Sequence, residues 1–220
     1  MYPIKELFNL DKTIAGDYLS GFVYPWEALG GLKDFIRTLG NSLNKAEYRE
    51  LAPEIWVHDS AKIAPTACLN GPCIIDAGAE IRHCAFLRGS VLVGRDCVVG
   101  NSTEVKNAIL FDKVQVPHYN YVGDSILGYK AHMGAGSVTS NVKSDKTLVE
   151  IKRGEERVET GLKKVGAMLG DLVEVGCNSV LNPGTVIGKN STIYPLSCVR
   201  GTVAENSIYK TGGVIVQKRK

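Results

Sequence analysis

The chain has 220 residues, 44% of them hydrophobic, and 26 lysines and arginines against 23 acids leave a formal net charge of +3. That length suits one domain with a modest appendage, and so small a surplus of cations excludes the basic footprint of a nucleic-acid-binding domain. No apolar run approaches the roughly 20 residues that span a bilayer, and no charged stretch leading into an apolar run opens the chain, so a soluble, cytoplasmic protein is expected.

In residues 1–54, Trp26 to Leu39 carries Leu29, Leu32, Phe35, Ile36 and Leu39 at helical spacing, with Gly40 as the expected stop. A shorter helix is expected around Ile4 to Leu10. From Val57 the period changes. An aliphatic residue recurs every sixth position at Val57, Ile63, Leu69, Ile75, Ile81, Leu87, Val93, Val99 and Val105, and four places after each of the first eight sits a small residue such as Ala61, Cys73, Ala79 or Cys97. The pattern returns at Leu169, Val175, Leu181, Ile187, Ile193 and Val199. A period of six fits neither an isolated helix nor a two-faced strand, and it signals a repeat. Each hexad makes a short strand and a turn, and three close a triangle, so equivalent residues stack as ladders eighteen apart. Turn formers such as Ala64-Pro65-Thr66 and Asn182-Pro183-Gly184 stand between the inward positions, where no ladder hydrogen bond is lost.

The expected fold is therefore an all-β, parallel β-helix of hexapeptide repeats over residues 55–210, with residues 1–54 as a helical cap over the open first coil and 211–220 as a solvated basic tail. The six cysteines show no C-x-x-C spacing, so neither disulfides nor cysteine-bound zinc are expected.

The register breaks twice, and local rule-breaking is where function is expected. After Val105 the inward positions read Leu110, Val116, Val122, Leu127, Met133 and Thr139, with two five-residue steps. This stretch holds Pro117-His118-Tyr119-Asn120-Tyr121-Val122-Gly123-Asp124, dense in hydrogen-bonding groups. The second break, residues 140–164, has no six-fold pattern and reads as an inserted hairpin. It is either a solvated excursion or a loop that reaches the phosphates of a neighbouring subunit's ligand.

Residues 57–210, through Phe86-Leu87-Arg88, His118-Tyr119-Asn120-Tyr121-Val122-Gly123-Asp124 and Met133 to Asn141, resemble the C-terminal left-handed β-helix of the bacterial bifunctional enzyme that acetylates glucosamine-1-phosphate and uridylylates the product. The insertion with Gly161-Leu162-Lys163-Lys164 is more similar to the archaeal sugar-1-phosphate nucleotidylyltransferase branch. The left hand comes from the resemblance alone, since crossover rules favour the right. The resemblance implies an acetyl-CoA-dependent N-acetyltransferase acting on an amino-sugar-1-phosphate in nucleotide-sugar synthesis, working as a homotrimer with its site between subunits and needing no metal.

Acetyl transfer from a thioester to an amine needs a base, donors for the oxyanion and cations for the sugar phosphate. His118 is the expected base. By resemblance, Glu104 orients its imidazole, Arg88 and Lys106 grip the phosphate, and Tyr121 touches the sugar. Asn141 lies near the acetyl group, Ala135 and Cys177 line the acyl carrier, and His132 replaces an asparagine that touches the amino sugar. Arg88 and Lys106 stack eighteen residues apart on one corner, where two like charges repel unless an anion is shared. A γ-class carbonic anhydrase would need three histidines on zinc, and the H-x-x-x-x-H pair is absent, with Gly123 five after His118. The other alternative is a non-catalytic or regulatory β-helix subunit partnering a sugar nucleotidyltransferase, but that predicts a degraded motif. No G-x-G-T-R-like loop is present, so a stand-alone acetyltransferase is expected.

Overall fold

The computed structural model describes residues 2–219. From Ile55 to Tyr209 the chain winds through short parallel strands stacked in three faces. The first face begins with Ile55–His58, Cys73–Ile75 and Val91–Val93, the second with Lys62–Ile63, Glu80–Ile81 and Val98–Asn101, and the third with Cys68–Leu69 and Phe86–Leu87. Pairing is in register with the hexads: Val57 lies beside Ile75, Ile75 beside Val93, and Ile63 beside Ile81. This is the β-helix that the spacing implied.

The five-residue steps have a structural cause. Glu104–Leu110 and Tyr121–Leu127 are continuous strands that run from the third face into the first without a separate turn. Each rounds the corner on one residue of positive φ, Asn107 at 46° and Asp124 at 48°. The left-handed backbone conformation suits Asn and Asp better than other non-glycine residues. The coil shortens, and Leu110 falls beside Val93 and Leu127 beside Leu110, seventeen residues apart.

The inward ladders form a dry core. Val57, Ile75, Leu87, Val93, Val105, Leu127, Leu181 and Ile193 are all fully buried. Towards the C-terminus the small inward slot is filled by hydroxyl residues that donate to corner carbonyls: Ser179 to Tyr194, Thr185 to Asn182, and Ser191 to Ala204. Those bonds remove the cost of burying them.

Residues 2–42 differ from the expected cap. They lie along the first face, where the outward side chains Ile74, Leu92, Ile109, Ile126 and Met168 are themselves fully buried beneath them. Phe8 packs on Phe111 with ring centroids 5.0 Å apart, and the backbone N–H of Asn9 donates to Asp171 at 2.8 Å. The expected single helix is two: a 3-10 turn, Pro25–Leu29, and an α-helix, Leu32–Ser42. Gly40 lies inside that helix and does not end it. A Cβ there would overlap the Trp56 ring, so glycine permits the helix to touch the strand.

At each end of the coils one open edge is covered by an antiparallel strand. Tyr48–Ala52 pairs with Ile55–His58 at one end. At the other, Ile215–Gln217 pairs with Ser207–Tyr209, so part of the expected solvated tail is an edge strand. The excursion contains the antiparallel hairpin Glu150–Arg153 and Glu156–Glu159, and Val149 and Ile151 are fully buried against the coils. Among the described residues, no helix is long and apolar enough to cross a membrane.

Candidate active site

The residues expected to act together occupy two different edges of the prism. His118 ends the strand Gln115–His118, where the second face turns into the third. Its backbone N–H donates to Asn120 Oδ1 at 3.1 Å, and its side chain is exposed. Asn120 is 3% exposed and donates its amide to the carbonyls of Gly134 at 2.8 Å and Ser137 at 3.2 Å. Asn120 thus ties the His118 corner to the next coil, a positioning role that motif matching did not assign. Between them Tyr119 takes φ 51° and is 61% exposed, its hydroxyl accepting from Asn101 Nδ2 at 3.2 Å.

The same edge continues through two other expected residues. Gly136 N–H donates to the His118 carbonyl, and Asn178 N–H to the Ala135 carbonyl. His118, Ala135 and Cys177 therefore stand on successive coils. A Cβ on Gly134 would lie 2.7 Å from the Cys177 nitrogen, so glycine is what allows these coils to approach.

The second cluster sits where the third face turns into the first. Asp124, 3% exposed, is its centre. It accepts from Lys106 Nζ at 3.3 Å, from Asn107 Nδ2 at 2.8 Å and from Asn141 Nδ2. Asn141 Nδ2 also donates to the Tyr121 hydroxyl at 3.2 Å. Burial, then the charges of Asp124 and Glu104, push the Tyr121 phenol above its ordinary pKa and keep it neutral. Arg88 Nη1 donates to Glu104 Oε1 at 2.6 Å, and this bond with Glu104 raises the guanidinium pKa further.

Three expectations change here. Glu104 is engaged by Arg88, and among the described residues no hydrogen bond joins it to His118. Arg88 and Lys106 do not share one anion across a repulsive gap, because each has its own carboxylate, Glu104 and Asp124. His132 joins neither cluster: it lies on the second face, with Nδ1 2.9 Å from Glu174 Oε2. His118 stands where the second face turns into the third and Lys106 where the third runs into the first, so within one chain they lie at opposite ends of the third face. Among the described residues, no group of three or more His, Cys, Asp and Glu side chains could hold a metal ion.

The curated relatives agree with the resemblance carried by the motifs. The family model of the GMPPB C-terminal domain matches residues 69–154. The bifunctional protein GlmU of Methanococcus aeolicus is 29% identical over 99% of this chain and 54% of its own length. That of Methanococcus vannielii is 30% identical over 98% of this chain and 53% of its own length. A bifunctional sugar-1-phosphate nucleotidylyltransferase/acetyltransferase of Sulfurisphaera tokodaii is 31% identical over 57% of this chain and 31% of its own length. The chain spans about half the length of the GlmU relatives that it matches end to end. Among solved structures, a point mutant of AntD, an N-acyltransferase from Bacillus cereus in complex with dTDP and coenzyme A, aligns with a TM-score of 0.46 and 16% identity over 79% of this chain and 91% of that one.

Proposed function

We propose that this chain carries out acetyl-CoA-dependent N-acetylation of an amino-sugar-1-phosphate. The observation that carries the reading is the exposed imidazole of His118, on a backbone corner that Asn120 fixes, followed along the same edge by Ala135 and Cys177. His118 takes a proton from the substrate's amino group as the nitrogen attacks the thioester carbonyl. The C–N bond forms, the tetrahedral intermediate collapses, the C–S bond breaks, and coenzyme A leaves as the thiol once protonated. Lys106 and Arg88 supply the cations for the sugar phosphate, with Asp124 and Glu104 holding them in place until it arrives.

The separation of the two edges supports a homotrimer. A neighbouring copy that lays its Arg88–Lys106 corner beside the first copy's His118 would complete the site, and cyclic packing closes such contacts. Glu104 or Asn141 would then meet His118 across the subunit boundary. The sugar-1-phosphate nucleotidylyltransferase/acetyltransferase relative favours a sugar-1-phosphate, and the motif resemblance favours a glucosamine-1-phosphate-like one.

Coenzyme A release from acetyl-CoA, measured against a panel of amino-sugar-1-phosphates, tests this. His118→Ala should lower turnover about 100- to 10,000-fold, the usual worth of a general base, with little change in acetyl-CoA binding. Near-native turnover by His118→Ala on the best sugar would remove the mechanism, and no turnover with any amino sugar by the unmodified chain would favour a regulatory subunit.

A further inference from the structure

We propose that the excursion and the last coils enclose a second anion site, built for a phosphate group and separate from the Arg88–Lys106 corner. A cavity of about 440 Å3 lies between them, lined by Lys143, Ser144, Asp145, Glu150, Lys152 and Arg200 among others. It is preformed, because the hairpin is fixed to the coils. Val149 and Ile151 are fully buried. Thr202 Oγ1 donates to the Lys152 carbonyl at 2.7 Å, fifty residues away in sequence. At Gly184 (φ +78°) and Gly201 (φ +74°) a Cβ would lie 2.9 Å from the Glu150 carbonyl and 3.1 Å from the Lys152 carbonyl, so these glycines admit the hairpin.

The charges do not cancel. Glu150 is shared between Lys152 at 3.7 Å and Arg157 at 3.5 Å, and Asp145 is taken by Lys143 at 3.4 Å and by the Thr147 N–H and hydroxyl. Arg200 is exposed and has no carboxylate within 4.0 Å among the described residues. Among the lining residues three cations, Lys143, Lys152 and Arg200, thus face two carboxylates, Asp145 and Glu150, and the guanidinium left over is the donor best suited to a phosphate's paired oxygens. The hairpin accordingly sits on its own chain and brings Lys152 beside Arg200.

This site is not the sugar-phosphate corner under another name. Register runs from Lys106 through Gly123, Ser140 and Asn182 to Arg200. Four strand spacings of ~4.8 Å put the two cation groups roughly 19 Å apart, too far for one phosphate to bridge. The phosphate could belong to the nucleotide end of the acyl donor or to a sugar phosphate.

Pyrophosphate titrated into the full chain by calorimetry tests the proposal without reference to turnover. In an Arg88→Ala background pyrophosphate should still bind, and adding Arg200→Ala or Lys152→Ala should weaken that binding about ten-fold or more. Arg200→Lys should keep part of the affinity, and His118→Ala should keep all of it. Both side chains are exposed, so the variants should fold. Repeating the titration with adenosine 3',5'-bisphosphate and with glucosamine-1-phosphate identifies the source, as the one whose affinity Arg200→Ala reduces. Absence of pyrophosphate binding in the Arg88→Ala background, or binding indifferent to both Arg200→Ala and Lys152→Ala, overturns it.

Discussion

Removing the carboxylate of Asp124 should destabilise the protein more than removing the lysine that it holds. Lys106 Nζ lies 3.3 Å from Asp124, whose side chain is 5% exposed against 25% for the lysine. At an effective dielectric of about 20, Coulomb attraction at that distance is about 5 kcal/mol as an upper bound. Desolvating the carboxylate and leaving a quarter of the lysine in water lower the net coupling to about 1–3 kcal/mol. Asp124→Ala also strips an acceptor from Asn107 and Asn141, at about 1 kcal/mol for each amide left without a partner. Its total cost should be about 3–5 kcal/mol, against about 1–3 kcal/mol for Lys106→Ala. For a chain of this size each kcal/mol moves the melting temperature about 2–4 °C, so Asp124→Ala should melt roughly 6–20 °C lower. The assay is a double-mutant cycle read by thermal or urea melting, at one protein concentration in case the chain associates. The double variant should be less destabilised than the sum of the two single ones by about 1–3 kcal/mol. Additivity within about 0.5 kcal/mol would mean that Asp124 does not hold Lys106, and the account of a preorganised phosphate corner would fail with it.

Other consequences can be measured directly. Ile109→Ala removes a fully buried outward side chain beneath the N-terminal segment and should cost about 2–5 kcal/mol, with faster proteolysis within residues 2–42; unchanged cleavage would mean that the segment is not held by this face. Gly184→Ala puts a Cβ 2.9 Å from the Glu150 carbonyl at φ +78° and should loosen the hairpin by about 1 kcal/mol or more, seen as faster amide exchange over residues 149–152. Cys73 and Cys97 are buried, burial pushing the Cys73 thiol up to about 12, so both should resist alkylation until the chain unfolds, while exposed Cys68, Cys84, Cys177 and Cys198 react. Acetyl-CoA should slow modification of Cys177 specifically; a rate indifferent to saturating acetyl-CoA would take Cys177 out of the proposed donor path.

The β-helix was legible because each coil repeats one packing problem. Val57, Ile75 and Val93 solve it identically, and spacing alone reveals them. The placement of residues 2–42 was also written in the chain, but in the side chains between the inward ones. Cys73-Ile74-Ile75, Val91-Leu92-Val93, Ala108-Ile109-Leu110 and Ala167-Met168-Leu169 are unbroken apolar runs, which mark strands buried on both sides. A search for the inward period passes over them, because the outward residue of a one-sided strand is free to be anything. Gly40 misled for a similar reason: a glycine near a helix end suits a stop, and only the Trp56 ring lying against it reveals a close approach.

The site residues were legible as types and their pairings were not, and the shortened coils explain why. In a regular coil, stacked neighbours are eighteen apart, which led to Arg88 and Lys106 being read as one repelling pair. Where a corner loses a residue, the neighbour falls at seventeen, as in Asn107 with Asp124 and Asn141 with Asp124. Side-chain reach spreads this further, to sixteen for Arg88 with Glu104 and eighteen for Lys106 with Asp124. The positive-φ residue that shortens the turn is then also the residue whose side chain meets its neighbours from two coils. At Asp124 that geometry buries a carboxylate among an ammonium and two amides. The register break and the polar cluster therefore have one origin. Restoring a full hexad by inserting a residue beside Asp124 would undo both together.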